Sequence, residues 1–402
     1  MTRASRPTLA LGLRFCFAVG LLYPLTWLGL LLGGVWLTLG PVCVLGSHLL
    51  LDAVTARDRR TYHALPGVLA NLPLYAHLPC AAITIVLLLW QSQAGHDLGG
   101  IGALIGSVAG DWVLQAHREF DTTQKITGAW VSGLMLSANH IVAHELVHRR
   151  SERLSMAIGR WLLAANGDAQ FSISHVYGHH INVGTAADAA TARRGESVYR
   201  FALRSAIGQY REARRIEAQR LLRLGSASFG LHNRLLSGLL MTAALIAVAG
   251  AWAGLPGLLM LIGSMVTAKF LFENVNYIQH YGLVREAGQR VEPRHSWDCD
   301  HRWATWVFYA LPRHAQHHAR PVLAYWQLEP SKVPAESMQL RRGYVGSMAL
   351  ACLPPLWRRH TAPLLAHWDL HLANDAERRL AEAADRRNRH QDFSAHHSGA
   401  AR

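Results

Sequence analysis

The chain predicts an all-α polytopic membrane protein, with six transmembrane helices in three hairpins and a cytoplasmic helical cap holding a histidine-rich metal site. Three observations predict it. Half of the 402 residues are hydrophobic and arrive in membrane-sized blocks. Lys and Arg flank those blocks on one side and are missing from the opposite loops. Nine histidines fall into four tight clusters, all on the basic side.

The apolar blocks cover about 9–28, 30–51, 68–90, 98–114, 235–252 and 255–271. At 1.5 Å rise per residue, about 20 residues cross the ~30 Å hydrocarbon core. The first pair breaks near Gly29 and Gly33-Gly34, and the third near Gly254. A buried soluble helix could mimic one block, but not six blocks paired by short connections. Arg3, Arg6 and Arg14 precede or open the first span, and Arg57, Arg59 and Arg60 follow the second. The loops around Gln91 to Asp97 and at Gly254 carry no Lys or Arg, so both termini and the histidine clusters are expected in the cytoplasm. The first block starts too close to the N-terminus, with no cleavage site behind it, to read as a removable signal. The organisation expected is one unit over 1–371 and a charged, disordered tail over 372–402. Pro354-Pro355 should stop any helix that reaches them.

The clusters are His144 and His148; His175, His179 and His180; His280; and His314, His317 and His318. Residues three and four apart share a helix face, so His144/His148 and His314/His317/His318 can each aim several rings at one region. The ~100° turn between neighbours lets the adjacent His179-His180 pair feed two metals. Nine imidazoles are too many for one zinc ion and suit two irons. HExxH alone also reads as a zinc protease signature, but that would leave six clustered histidines unexplained. A metal transporter would scatter its ligands through the spans. Around the clusters, Glu145 and Asp188 are candidates to orient imidazoles by accepting the second ring N–H. Asn276 could bridge to a metal-bound water or cap a helix end. His140 reads as a second-layer or surface residue, and the remaining histidines, His295 among them, as ordinary polar residues.

The net charge of +14 is spread over the cytoplasmic segments, including Arg211, Arg214, Arg215, Arg220 and Arg223. Contact with anionic lipid headgroups is the plain reading, and docking of an acidic electron carrier the sharper one. Nucleic acid is excluded, because no recognition module accompanies the charge. The five cysteines include no CxxC pair, and no GxGxxG follows a strand. Neither an iron–sulfur cluster nor a flavin or nicotinamide domain is built in, so electrons must come from another protein.

The motifs His144-Glu-Leu-Val-His148-Arg149, His175-Val-Tyr-Gly-His179-His180, Asn276-Tyr-Ile-Gln-His280-Tyr-Gly-Leu283 and Leu311-Pro-Arg-His314-Ala-Gln-His317-His318-Ala319 resemble, in order and spacing, the integral-membrane alkane 1-monooxygenases. The third motif is the most specific, because it separates that family from the wider desaturases that share histidine boxes. The resemblance runs from about the first span to about Leu328. It implies a multi-pass, bacterial inner-membrane enzyme with two non-haem iron ions and O2 as co-substrate. It also implies a rubredoxin or ferredoxin-type donor with its reductase, and hydroxylation of a terminal or benzylic methyl of a hydrophobic hydrocarbon to a primary alcohol. A fatty acyl desaturase or lipid hydroxylase built on the same boxes is the alternative. Ser174 and Gln279 stand where many alkane hydroxylases carry glutamate, and Asp188-Ala-Ala replaces Asp-Pro-Ala. Gln279 and the Val-Tyr-Gly-His-His box look closer to the xylene and alkyl-aromatic methyl monooxygenases. In the resembling family a large side chain on the second span limits substrate length; here Val44 and Gly46 are the candidate channel residues, and small.

Overall fold

The computed structural model describes residues 6–230, 232–331 and 337–398. It is almost wholly helical, with one short parallel pair, Trp297–Asp298 against Met338–Gln339. Among the described residues, four helices are long and apolar enough to cross a membrane: Gly34–Asp52, Gly67–Ser92, Thr122–His148 and Arg234–His280, with a shorter apolar stretch at Ala18–Leu32.

The glycine breaks fall where the sequence places them. Gly33 and Gly34 adopt φ of +63° and +52°, a region costly for residues with a Cβ. They fold Tyr23–Leu32 back on Leu39–Val54. Residues 234–280 form one 47-residue element in which Ala253 and Gly254 leave helical geometry. A straight helix would separate Gly238 from Met265 by about 40 Å. Yet a Cβ on Gly238 would lie 2.9 Å from that of Ala169, while one on Gly167 would lie 3.5 Å from Met265 Sδ. The element is therefore a hairpin turning at Gly254.

The expected span over 98–114 is not a single helix. Ile101–Ala109 and Asp111–Arg118 are short helices separated by Gly110 at φ +98°, and each is too short to cross. The long apolar helix lies just beyond, over Thr122–His148. Its signal is diluted in the sequence by Thr122, Thr123, Gln124 and Lys125 at one end and by His140, His144, Glu145 and His148 at the other.

The Thr122–His148 helix packs closely on the returning arm of the last hairpin. A Cβ on Gly133 would sit 2.5 Å from Thr267 Cβ and 2.6 Å from Ser264 O. Deeper, a buried ionic group ties the same elements together. Lys269 Nζ lies 2.8 Å from Asp168 Oδ1 and 2.6 Å from Glu273 Oε1, and His140 Nε2 lies 3.3 Å from Asp168 Oδ2. His140 is thus fully buried in a structural network rather than at the surface.

The tail departs from expectation. Pro354-Pro355 opens the helix Pro354–His371 at the positions where proline costs no hydrogen bond. Asp375–Ser398 is helical. Its first turn is tied to the body through Glu377, which pairs with Arg294 at 3.0 Å and His295 at 2.7 Å. Asp385 lies 3.1 Å from Arg194. Alternating charge in the sequence hid these specific pairs.

Filling Gly133 should open the helix contact. Gly133→Val is expected to destabilise the fold by about 1–3 kcal/mol, read as a lower midpoint for loss of monodisperse protein on heating in detergent. A midpoint equal to the parent's would show that the contact is loose.

Candidate metal centre

Each cluster sits at the end of an element that the membrane helices hold in place. His144 and His148 close the Thr122–His148 helix, and His280 closes the last hairpin. His314, His317 and His318 share the helix His314–Ala319. His175–His179 is a turn of π-helix leading into His180–Asn182. The wider turn splits the box, so that His175 and His180 face one way and His179 the other.

The nine rings resolve into two groups. His144, His148, His175, His180 and His317 form the first, and His179, His280, His314 and His318 the second, with donor atoms in each within 4.8 Å of one another. In the first group, His148–His175, His175–His180 and His180–His317 bring Nε2 atoms to 3.1, 3.0 and 3.2 Å. In the second, His280–His314 and His314–His318 do so at 3.0 and 3.1 Å. An ion holding imidazole nitrogens at about 2.1 Å separates them by about 3.0 Å at right angles and about 3.4 Å at the tetrahedral angle. The spacing is that of an octahedral edge. His144 Nε2 is buried with no hydrogen-bond partner among the described residues. Five converging Nε2 atoms leave no arrangement of protons that satisfies them all, whereas a cation satisfies them together.

The surroundings keep the rings in ligand form. Burial and the neighbouring imidazoles hold His175, His180, His314, His317 and His318 well below the ordinary histidine range. They are neutral at physiological pH, with lone pairs free. Asp188 Oδ2 accepts from His179 Nδ1 at 2.8 Å and is itself held by Thr191 Oγ1 at 2.6 Å. Burial opposes ionisation of Asp188, but His179 together with the hydrogen bonds from Thr191 and the Ala190 N–H keeps the carboxyl below the usual range. This contact leaves the His179 Nε2 free to face the other rings.

Glu145 does something else. It binds Arg149 at 2.7 Å and accepts the Tyr325 N–H at 3.2 Å, touching no imidazole. It joins the first cluster to the chain beyond the fourth. Asn276 neither caps a helix nor reaches a ligand; its amide lies 3.5 Å from Glu273 Oε2, inside the helix. Gly46 is also misplaced as a channel residue. It is exposed on the outer face of its helix, and an added Cβ would meet nothing within 4 Å. Two residues on a helix subtend about 200°, so Val44, which is buried among Ala18, Leu22, Cys80 and Leu134, alone faces inward.

Two supports escaped the sequence. His295 is buried, and its carbonyl accepts from His280 Nδ1 at 3.2 Å while Glu377 holds its ring. The tail thereby orients a ring of the centre. Glu212 packs under Gly178, where a Cβ would meet its carboxyl carbon at 2.4 Å, so the box needs glycine there. Burial and the nearby Asp188 charge push Glu212 up to about 7. Neither residue has a spacing that could have revealed it.

Comparison with known proteins agrees with this geometry. Residues 122–336 match the fatty acid desaturase family. The chain is 39% identical over 271 residues to alkane 1-monooxygenase 1 of Pseudomonas aeruginosa, covering 65% of this chain and 69% of that protein. It is 30% identical over 365 residues to the xylene/toluene monooxygenase hydroxylase component XylM of Pseudomonas putida, covering 90% and 91%. The chain belongs to the alkane 1-monooxygenase family. A third relative, alkane 1-monooxygenase 2 of Pseudomonas aeruginosa, is 30% identical over 362 residues, 87% of each chain. The two groups that could hold metal ions comprise the nine ring donors read from the sequence.

Removing the charge behind His179 should weaken the second group selectively. Asp188→Asn is expected to lower metal affinity about 10–100-fold in a chelator competition. Unchanged affinity would mean that Asp188 does not act through His179.

Proposed function

We propose that this protein is a membrane non-haem di-iron monooxygenase that converts a terminal or benzylic methyl of a hydrophobic hydrocarbon to a primary alcohol. The observation that carries the reading is the division of nine imidazoles into five and four, with neighbouring Nε2 atoms in each group 3.0–3.2 Å apart. The first group is read as holding one iron through His144, His148, His175, His180 and His317. The second holds the other through His179, His280, His314 and His318. Neutral nitrogen donors leave the ions their full charge and leave coordination positions open. When bound, the iron pair supplies O2 reduction and insertion of one oxygen atom, with the balance R–CH3 + O2 + 2 e⁻ + 2 H⁺ giving R–CH2OH + H2O.

The chain's own part is delivery and exclusion. Its catalytic unit is read as 1–371, with six crossings: the Ala18–Leu32 and Gly34–Asp52 segments, the Gly67–Ser92 and Thr122–His148 helices, and the two arms of the last hairpin. The distribution of basic residues supports cytoplasmic termini and a cytoplasmic metal face in an inner membrane of bacterial type. Hydrocarbons partition into the bilayer, so the substrate reaches the irons from below, between the spans. Apolar walls strip water from it and hold a methyl near the site. Val44, buried among apolar side chains, is read as lying on that path. Electrons are read as coming from a rubredoxin or ferredoxin-type donor, and the exposed Arg211, Arg214 and Arg215 stretch suits an acidic carrier. The match to the fatty acid desaturase family keeps a second reading open, lipid desaturation at the same irons, which product structure separates from hydroxylation.

The purified protein is expected to carry about two irons per chain and to form primary alcohols from a panel of octane, hexadecane and p-xylene. One iron or none at the nine-histidine centre, or an alkene product, would overturn the reading. His280→Ala should abolish oxidation while membrane insertion persists; retained activity would remove His280 from the site. Val44→Trp should shift the product profile toward shorter substrates, and Gly46→Trp should leave it unchanged. Equal profiles in the parent and Val44→Trp would take this helix face out of the channel.

A further inference from the structure

A second convergence of metal-ligand side chains lies away from the nine histidines. It forms where the end of the Gly34–Asp52 helix meets the segment that follows the Trp297–Asp298 strand. The Asp52 carboxylate, Cys299 thiol and His301 ring each bring a donor atom within 4.8 Å of the others. Asp52 and Cys299 are 2% and 1% exposed, and His301 reaches the surface.

The carboxylate is only half accounted for. Asp52 Oδ2 accepts the Tyr344 N–H, a structural contact at the start of the Tyr344–Ala351 helix. Asp52 Oδ1, 3.7 Å from His301 Nδ1, is buried with no hydrogen-bond partner among the described residues. The same ring nitrogen also contacts the Asp52 carbonyl oxygen. Neighbouring Asp300 adds another buried oxygen, Oδ1, without a partner among the described residues. Leaving carboxylate oxygens buried and unpaired is costly. A capping role for Asp52 and an apolar filler role for Cys299 explain Oδ2 and the packing. They do not explain Oδ1 or the meeting of three ligand types.

The donor set selects the kind of ion. Calcium and magnesium take all-oxygen shells, whereas thiolate, imidazole and carboxylate together suit zinc. Burial pushes the Cys299 thiol up, and a bound cation would draw off its proton. We propose that Asp52, Cys299 and His301 bind a structural zinc ion distinct from the nine-histidine centre. Such an ion joins the first hairpin to the fourth histidine cluster. Cys299 N donates to Pro312 O at 2.9 Å, and Asp298 Oδ1 accepts from Ala315 N at 2.7 Å, so the segment it fixes carries the His314–Ala319 helix.

The thiolate makes the test specific. The full-length protein, produced in iron- and zinc-depleted medium with cobalt(II), should show a thiolate-to-cobalt charge-transfer absorption, which no histidine-only centre can give. The band should disappear in Cys299→Ala and persist in Cys352→Ser. Native protein should carry about one zinc per chain besides its iron, falling at least tenfold in Cys299→Ala. Should that variant fail to fold, His301→Ala, at the surface edge of the cluster, should lose the band and the zinc alike. Absence of the band in the parent, or its persistence in Cys299→Ala or His301→Ala, would overturn the proposal.

Discussion

The structure depends on one demand, that nine imidazole rings bring their nitrogens together at two places inside the protein. Lone pairs brought so close repel, and among the described residues His144 Nε2 has no hydrogen-bond partner to compensate it. The demand explains features that would otherwise look unrelated. It explains the π-turn at His175–His179, which sends adjacent rings to different groups, and the glycine at 178, which lets Glu212 come close beneath the box. It explains why rings are held from behind, His179 by Asp188 and His280 by the His295 carbonyl.

The membrane helices supply the stiffness this needs. Two of the four clusters end long helices, and the elements beneath them are joined by close glycine contacts and by the Asp168–Lys269–Glu273 ionic group. Burying that group gains little stability by itself. It does fix the relative position of the Thr122–His148 helix, the loop at Asp168 and the last hairpin. These elements carry His144, His148 and His280 and lead into His175, so an error in their register would pull the two groups apart.

Much of this was legible in the sequence, for physical reasons. Three of the four clusters use spacings of three, four and one on helices, where spacing translates directly into direction, and so the rings that the structure brings together could be read residue by residue. Gly33-Gly34 and Gly254 marked hairpin turns because positive φ favours glycine. The long apolar helix Thr122–His148 could not be read, because a helix that carries three histidines and a glutamate in its last turns has diluted its own apolar signal. Hydropathy instead favoured 98–114, which Gly110 breaks. Glu145 and Asp188 looked alike beside their histidines, yet only Asp188 faces a ring. That difference, like the roles of His295, Glu212 and Glu377, arises from tertiary pairings that no periodicity encodes.

The most direct test of the central claim is iron-edge X-ray absorption on the purified, iron-loaded protein. The account predicts a first shell of four to five nitrogen neighbours per iron, as the two ring groups require, at about 2.1 Å, with the multiple-scattering signature of imidazole and no sulfur. A sulfur neighbour, or a shell with only two or three imidazoles per iron, would contradict it.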